Sequence, residues 1–119
     1  MRAQAPKGDF IYIATLNNVI VAALRLHPVN NFYLLRSMCV SADMRRTGIG
    51  SALLKHIQPQ LSDLQCYSFP YTHLSDFYSA ANFISYDVDS APEAISDKFN
   101  RYLKNGKKIC LMKHRHNPA

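Results

Sequence analysis

No apolar run in the chain approaches the roughly 18 residues of a membrane-spanning helix. Met1-Arg2-Ala3-Gln4 lacks the hydrophobic stretch of a secretory leader, so a cytoplasmic setting is the expectation. Cysteine is scarce. Cys39, Cys66 and Cys110 form an odd set without metal-ligand spacing, which argues against a disulfide framework and for reduced, buried thiols. Acid is missing from one end: residues 1–97 carry seven basic and eight acidic side chains, and none of the latter follows Asp97. Lys98, Arg101, Lys104, Lys107, Lys108, Lys113 and Arg115 therefore account for the whole net charge of +6. Such a segment suits either a polyanionic partner or a solvated helix face with a tail. Repeats, linkers and low-complexity stretches are also lacking. The 119 residues read as one domain, 1–119, with residues 1–9 and 114–119 as flexible tails and enough chain for a core without staples.

What is present is a run of short, well-punctuated elements. Phe10 to Leu16 and Val19 to Leu26 are β-branched and aromatic, and only Asn17-Asn18 separates them, the pattern of a tight hairpin. His27 to Asn31 reads as a second turn and Phe32 to Val40 as a third strand. Apolar residues at Ile49, Leu53, Leu54 and Ile57 predict a helix with one buried face, ended by Pro59. Leu64 to Phe69 reads as a strand. Leu74, Phe77, Tyr78 and Ala81 fall at helical spacing, behind Thr72 or Ser75. Phe83 to Val88 is a further strand, and a helix capped by Ser90 runs to about Leu103. Asn105-Gly106 stops it, and Lys108 to Lys113 is the last strand. The order β-β-β-α-β-α-β-α-β implies a mixed sheet with helices packed on it, an α/β or α+β sandwich.

The most informative stretch is Val40 to Ser51, centred on Arg45-Arg46-Thr47-Gly48-Ile49-Gly50. A strand that empties through Gly-x-Gly into a helix leaves backbone N–H groups free at the positive end of the helix dipole. The arginines add full charge, so the loop suits a pyrophosphate. A Walker loop needs lysine after its last glycine, and Ser51-Ala52 follow Gly50 instead. A dinucleotide fingerprint needs glycine or alanine three places on, where Leu53 stands. Both fail.

Arg45, Gly48 and Gly50 satisfy Arg/Gln-x-x-Gly-x-Gly/Ala at a strand-to-helix junction, fed by the strand Ser37-Met38-Cys39-Val40. Phe77-Tyr78-Ser79-Ala80-Ala81-Asn82-Phe83 is similar to a late Phe-Tyr-x-x-x-Gly-Phe segment. On these two motifs, and on element order from Phe10 to about Val88, the chain resembles the GNAT superfamily of N-acetyltransferases. The resemblance implies a mixed, mostly antiparallel sheet with splayed central strands and helices on both faces. It implies acetyl-CoA as co-substrate, no metal, and direct transfer of acetyl from the thioester to an amine. Coenzyme A would lie against Met38, Cys39, Val40, Arg45, Arg46, Thr47, Gly48, Ile49, Gly50, Ser51 and Tyr78, with pantetheine between strands splayed from near Val40 and Leu64. The Val40 N–H would stabilise the oxyanion, and Tyr78 would be the general acid, since a phenol near pKa 10 carries its proton at neutral pH. Read from its residues alone, Tyr78 equally fits the buried stripe of its helix.

No carboxylate occupies the central strand, and His73 is the candidate proton relay, with a surface role as its alternative. Cys39 as an acyl carrier has no His or Asp near it in sequence. His114-x-His116 with Cys110 or His73 lacks diagnostic spacing, and no metal is expected. The chain departs from the family at Asn82, where Gly is usual and Asn also accepts a left-handed backbone. It also departs at its front, where nine residues stand in place of a strand and two helices. A homodimer closing that open front is one expectation. The basic segment suggests an anionic acceptor, small molecule or protein, contacted by Lys104, Lys107 and Lys108. A non-catalytic acyl-CoA-binding module is the alternative function. A nucleic-acid-binding domain fits poorly, because only Tyr102 is interleaved with the basic cluster.

Overall fold

A computed structural model of the chain describes residues 2–4, 8–61 and 65–115. Four strands come first: β1 (Arg2–Gln4), β2 (Phe10–Leu16), β3 (Val19–Val29) and β4 (Phe32–Val40). Asn17 and Asn18 turn between β2 and β3 with φ of 52° and 67°. Two consecutive left-handed residues match the twist of a two-residue hairpin, and asparagine tolerates them. β3 runs past its expected end at Leu26 because the β2 ladder stops at Phe10↔Leu26. Pro28 lies beyond that point and pairs only with Tyr33 of β4. A missing N–H is tolerated where one side of a strand is open. The second turn therefore shrinks to Asn30-Asn31.

The expected tails need correction at both ends. Arg2–Gln4 pairs antiparallel with Tyr12–Phe10, since the outer edge of β2 offers unpaired backbone groups that an extended segment satisfies. His114 is 3% exposed and ends a strand. Residues 116–119, His116 included, lie outside the described residues.

Helix α1 (Ile49–His56) buries Gly50, Leu53 and Leu54. Pro59 does not end the helical path. After Ile57 a further turn, α2 (Gln58–Leu61), forms, and the N–H groups of Gln60 and Leu61 reach the Ile57 carbonyl at 3.0 and 3.1 Å. Pro59 sits in the first turn of α2, where its lost N–H has no intrahelical acceptor in any case. Strand β5 covers Cys66–Ser68; Leu64, its expected start, lies outside the described residues. A 3₁₀ turn (Thr72–Leu74) leads into α3 (Ser75–Ser79), and β6 is Phe83–Ser85. Val88–Ser90 leaves the expected strand for a 3₁₀ turn, where the Asp87 carboxylate accepts the Asp89 N–H at 3.1 Å. Ser90 is thus spent in that turn, and Pro92 takes the N-cap of α4 (Glu93–Lys104). Gly106, with φ of 87°, follows its end. The last strand, β7 (Met112–His114), is shorter than Lys108–Lys113, because Ile109 and Cys110 bond instead to Tyr71 and Pro70.

The sheet order is β1-β2-β3-β4-β5-β7-β6, and β4–β5 is its one parallel pair among the described residues. Neighbours along a strand point to opposite faces, and the two cores divide accordingly. Leu35, Cys66 and Met112 join α1 through Leu53 and Leu54. Leu34, Tyr67 and Leu111 join α4 through Ile95 and Phe99. Helices therefore cover both faces, and no helix among the described residues is long and apolar enough to cross a membrane.

Leu54 is fully buried, so Leu54→Ala should lower unfolding free energy by about 2–5 kcal/mol in denaturant titration. Burial also pushes the Cys66 thiol up to about 12 from 9.0. Above pH 9 the unfolded chain loses a proton that the folded chain keeps, so stability should fall as pH rises from there. Cys66→Ala should flatten that decline.

Candidate active site

The site begins with an irregularity in β4. Ala23 pairs with Cys39 and Arg25 with Arg36, so Leu24 alone faces Ser37 and Met38. One extra residue in a strand reverses which side chains face which way beyond it. Leu35 faces α1 before the bulge; Met38 and Val40 pack on that same side after it. Cys39 is turned away and is exposed, which corrects the expectation that all three thiols are buried.

The second feature is a parting of strands. β4 and β5 pair from Tyr33↔Cys66 to Leu35↔Ser68 and no further. From Arg36 to Val40, β4 has β3 on one side and a gap on the other. The Ser41 N–H bonds the Val21 carbonyl at 2.9 Å, which makes Ala22↔Val40 a non-hydrogen-bonded pair. In such a pair the backbone groups point away from the partner strand. The N–H and C=O of Val40 therefore face the gap, and Arg45 Nε donates to that carbonyl at 3.1 Å.

A cleft of about 610 Å³ runs from this gap to the start of α1. Gly48 caps the helix with φ of 86°, and no side chain caps it. The first intrahelical bond is Ala52 N–H to the Gly48 carbonyl, 2.9 Å. The N–H groups of Gly48, Ile49, Gly50 and Ser51 are thus the orphan donors of the first turn. All four residues line the cleft, with Arg45 and Arg46 beside them. Gly50 has a packing reason as well. A Cβ there would lie 3.1 Å from Val40 Cγ2 and 3.3 Å from Met38 Cε, so only glycine lets the helix start sit this close to β4.

Tyr78 closes the other end. It is 5% exposed, and its ring is held edge-on by Phe77 and Phe83 at 5.3 and 5.7 Å. Burial pushes its phenol up to about 12; a hydrogen bond with buried Ser68 works in the opposite direction, and the Cys39 thiol adds to the rise. A second cleft, of about 400 Å³, opens on the far side of Tyr78 between β4 and the Ser68–Tyr71 segment. Met38, Leu74 and Tyr78 line both clefts, so the two adjoin at these residues.

The structure brings together Met38, Cys39, Val40, Arg45, Arg46, Gly48, Ile49, Gly50, Ser51 and Tyr78 in one lining. It does not bring Thr47 there; its N–H and hydroxyl are both spent on the Met44 carbonyl. His73 is exposed, stacked on Tyr71 with ring centroids 5.9 Å apart, and lines neither cleft. Leu64 lies outside the described residues, and the strands part at Leu35 and Ser68 instead. Sequence reasoning missed Ser68 as the partner of Tyr78, and Leu74 as the floor shared by the clefts. A single hydroxyl between Tyr67 and Phe69 was the available signal, because a buried polar group needs a partner. Among the described residues no three metal-ligating side chains come together.

A family model, the acetyltransferase (GNAT) domain, matches residues 7–85. The chain belongs to this family. Curated proteins give no match to it. Among solved structures, N-acetylglutamate synthase from Neisseria gonorrhoeae, complexed with coenzyme A and N-acetyl-glutamate, superposes with a TM-score of 0.70 at 16% identity. The match covers 92% of this chain and 26% of the synthase, so the chain spans about a quarter of that protein. Tetrahymena GCN5 gives 0.67 at 13% identity, over 93% of this chain and 70% of its own. The ribosomal-protein-S18-alanine N-acetyltransferase from Escherichia coli gives 0.65 at 17%, over 98% and 74%. At these identities the likeness is one of fold.

Acetyl-CoA is the co-substrate of a GNAT domain, and the residues present fit it: four orphan N–H groups and two arginines for the pyrophosphate, and a gap in the sheet for the pantetheine arm. Acetyl-CoA at 100 times its Kd should raise stability by about 2.7 kcal/mol in thermal or chemical unfolding. Replacing Arg45 and Arg46 together by Ala should weaken that Kd at least roughly tenfold, about 1.4 kcal/mol. A dinucleotide at equal concentration should give no shift.

Proposed function

We propose that this GNAT domain transfers an acetyl group directly from acetyl-CoA to an amine that enters by the second cleft. The observation that carries the reading is the meeting of the two clefts at Tyr78, with the Val40 N–H turned into the same gap. Val40 donates its N–H to the oxygen of the reacting carbonyl as negative charge gathers there. The donor is fixed by the β3 ladder and costs no reorganisation. Cys39, Val40 and Met38 line the thioester end of the first cleft.

Tyr78 holds a proton at its phenolic oxygen throughout the neutral range. The nitrogen–carbon bond forms, the carbon–sulfur bond breaks, and Tyr78 gives its proton to the departing sulfur. A phenol near 12 is a weaker acid than a thiol near 8.5, a deficit of about 4.8 kcal/mol at ~1.36 kcal/mol per unit. The step becomes favourable when Tyr78 recovers a proton from the nitrogen, which sheds one as it becomes an amide. The phenol thus works as a relay from nitrogen to sulfur, with Ser68 holding its oxygen in place.

Among the described residues, neither cleft lining contains Asp, Glu or His. The incoming amine therefore loses its first proton to solvent. For an alkyl amine, kcat/KM should rise about tenfold per pH unit until the pKa of the acceptor, ~10, is approached. Tyr78 stays protonated over that range, so no falling limb appears below it. A plateau starting near pH 7 would show a base within the protein. Tyr78→Phe should lower kcat by about 10²–10⁴-fold and leave the Kd for acetyl-CoA unchanged. The lack of a base also suits a non-catalytic acyl-CoA-binding domain. That reading requires acetyl-CoA binding, no turnover with any amine, and no measurable change in Tyr78→Phe.

A further inference from the structure

Two charged side chains line the second cleft, and both are cations: Arg36 from β4 and Lys107 from the turn after α4. Among the described residues no carboxylate lines it. Arg36 stands directly across the strands from Arg25, and like charges in that position destabilise a sheet. The protein compensates one of the two. The Asp9 carboxylate, 8% exposed, lies 3.5 Å from the Arg25 guanidinium and also takes His27 Nδ1 at 2.6 Å. Arg36 has no such partner, and among the described residues neither it nor Lys107 forms an ion pair. The Lys107 ammonium lies 5.7 Å from the Tyr102 ring centre. The rest of the wall is largely apolar, with Phe69, Tyr71 and Tyr102 among its aromatic members.

A guanidinium and an ammonium in a half-enclosed, largely apolar pocket form a receptor for an oxyanion. We propose that the acceptor is an amine that also carries an anionic group, a carboxylate or phosphate, seated against Arg36 and Lys107. Its carbon body lies on Phe69, Tyr71 and Tyr102, and its nitrogen points at Tyr78. The proposal rests on the acetyl-transfer reading above and names its substrate class. It also selects within the basic segment, because Lys104 and Lys108 do not line the cleft. The same two cations act on the nitrogen. Positive potential disfavours an ammonium ion and lowers its pKa, which is the direction required where no base is present.

Calorimetry on the coenzyme A-loaded protein tests this with matched probes: tyrosine against tyramine, and phosphoethanolamine against ethanolamine. The anionic member of each pair should bind at least tenfold more tightly. Arg36→Gln and Lys107→Gln should each reduce that preference severalfold, by weakening the anionic member and not the member without the anion, and keep the stabilisation by acetyl-CoA. Equal binding within the pairs overturns the proposal. So does a preference that survives both substitutions, or no binding by either anionic probe. Failure of the donor reading would show separately, as no stabilisation by acetyl-CoA in the unsubstituted protein.

Discussion

Strand β4 sets two residues against the single Leu24 of β3, and the site is built on the change of face that follows. Without the extra residue, Leu35, Ser37 and Cys39 would share the α1 side, and Val40 would point its side chain at the other face. With it, Met38 and Val40 form the bed on which the start of α1 rests. The backbone groups that would have continued a ladder with β5 are left facing open space, because β5 pairs with β4 for only three residues. An unpaired strand segment inside a sheet is costly unless something occupies the gap. The donor's pantetheine arm is of the right kind to do so, being extended and rich in amide groups.

Close packing then sets the scale of the cleft. Gly50 sits so near Val40 and Met38 that a Cβ would press on both side chains, and this proximity brings the helix start within the same cavity as the end of β4. The charge of the arginines and the orphan N–H groups lie at one end, the phenol at the other. Tyr78 itself is held by aromatic contacts on both sides and by Ser68 beneath. A buried phenol with a raised pKa is a poor acid by itself. It suits a position where a proton is handed on and returned within one reaction.

The parts of this arrangement legible in the sequence are those that depend on near neighbours. The Asn17-Asn18 hairpin, the Gly-x-Gly helix start, the left-handed Asn82 and the Asn105-Gly106 stop all follow from local backbone preference, and the structure has each of them. What depends on pairing partners was not legible. The edge strand Arg2–Gln4 forms because β2 has a free edge, and Pro28 enters a strand because its neighbour has already ended. The bulge at Ser37-Met38 leaves no mark in a pattern of apolar residues. Ser68, Lys107 and Arg36 converge from β5, the turn after α4 and β4, and no spacing along the chain relates them. Tyr78 is an intermediate case. Its helical stripe allows it to be core or catalytic, and the structure shows a packed ring that also lines both clefts.

Arg45 bonds the Val40 carbonyl, and this has a mechanical meaning. Val40 is the residue whose N–H faces the gap, so the arginine loop is tethered to the strand end that borders it. Five residues of backbone and one hydrogen bond close a small ring between them. The two ends of the first cleft, the arginine loop and the open edge of β4, are thus joined through one short piece of chain. A ligand that fills the cleft would meet both at a spacing set by the ring, as a jig holds a workpiece by its far end so that the cut always falls at the same place.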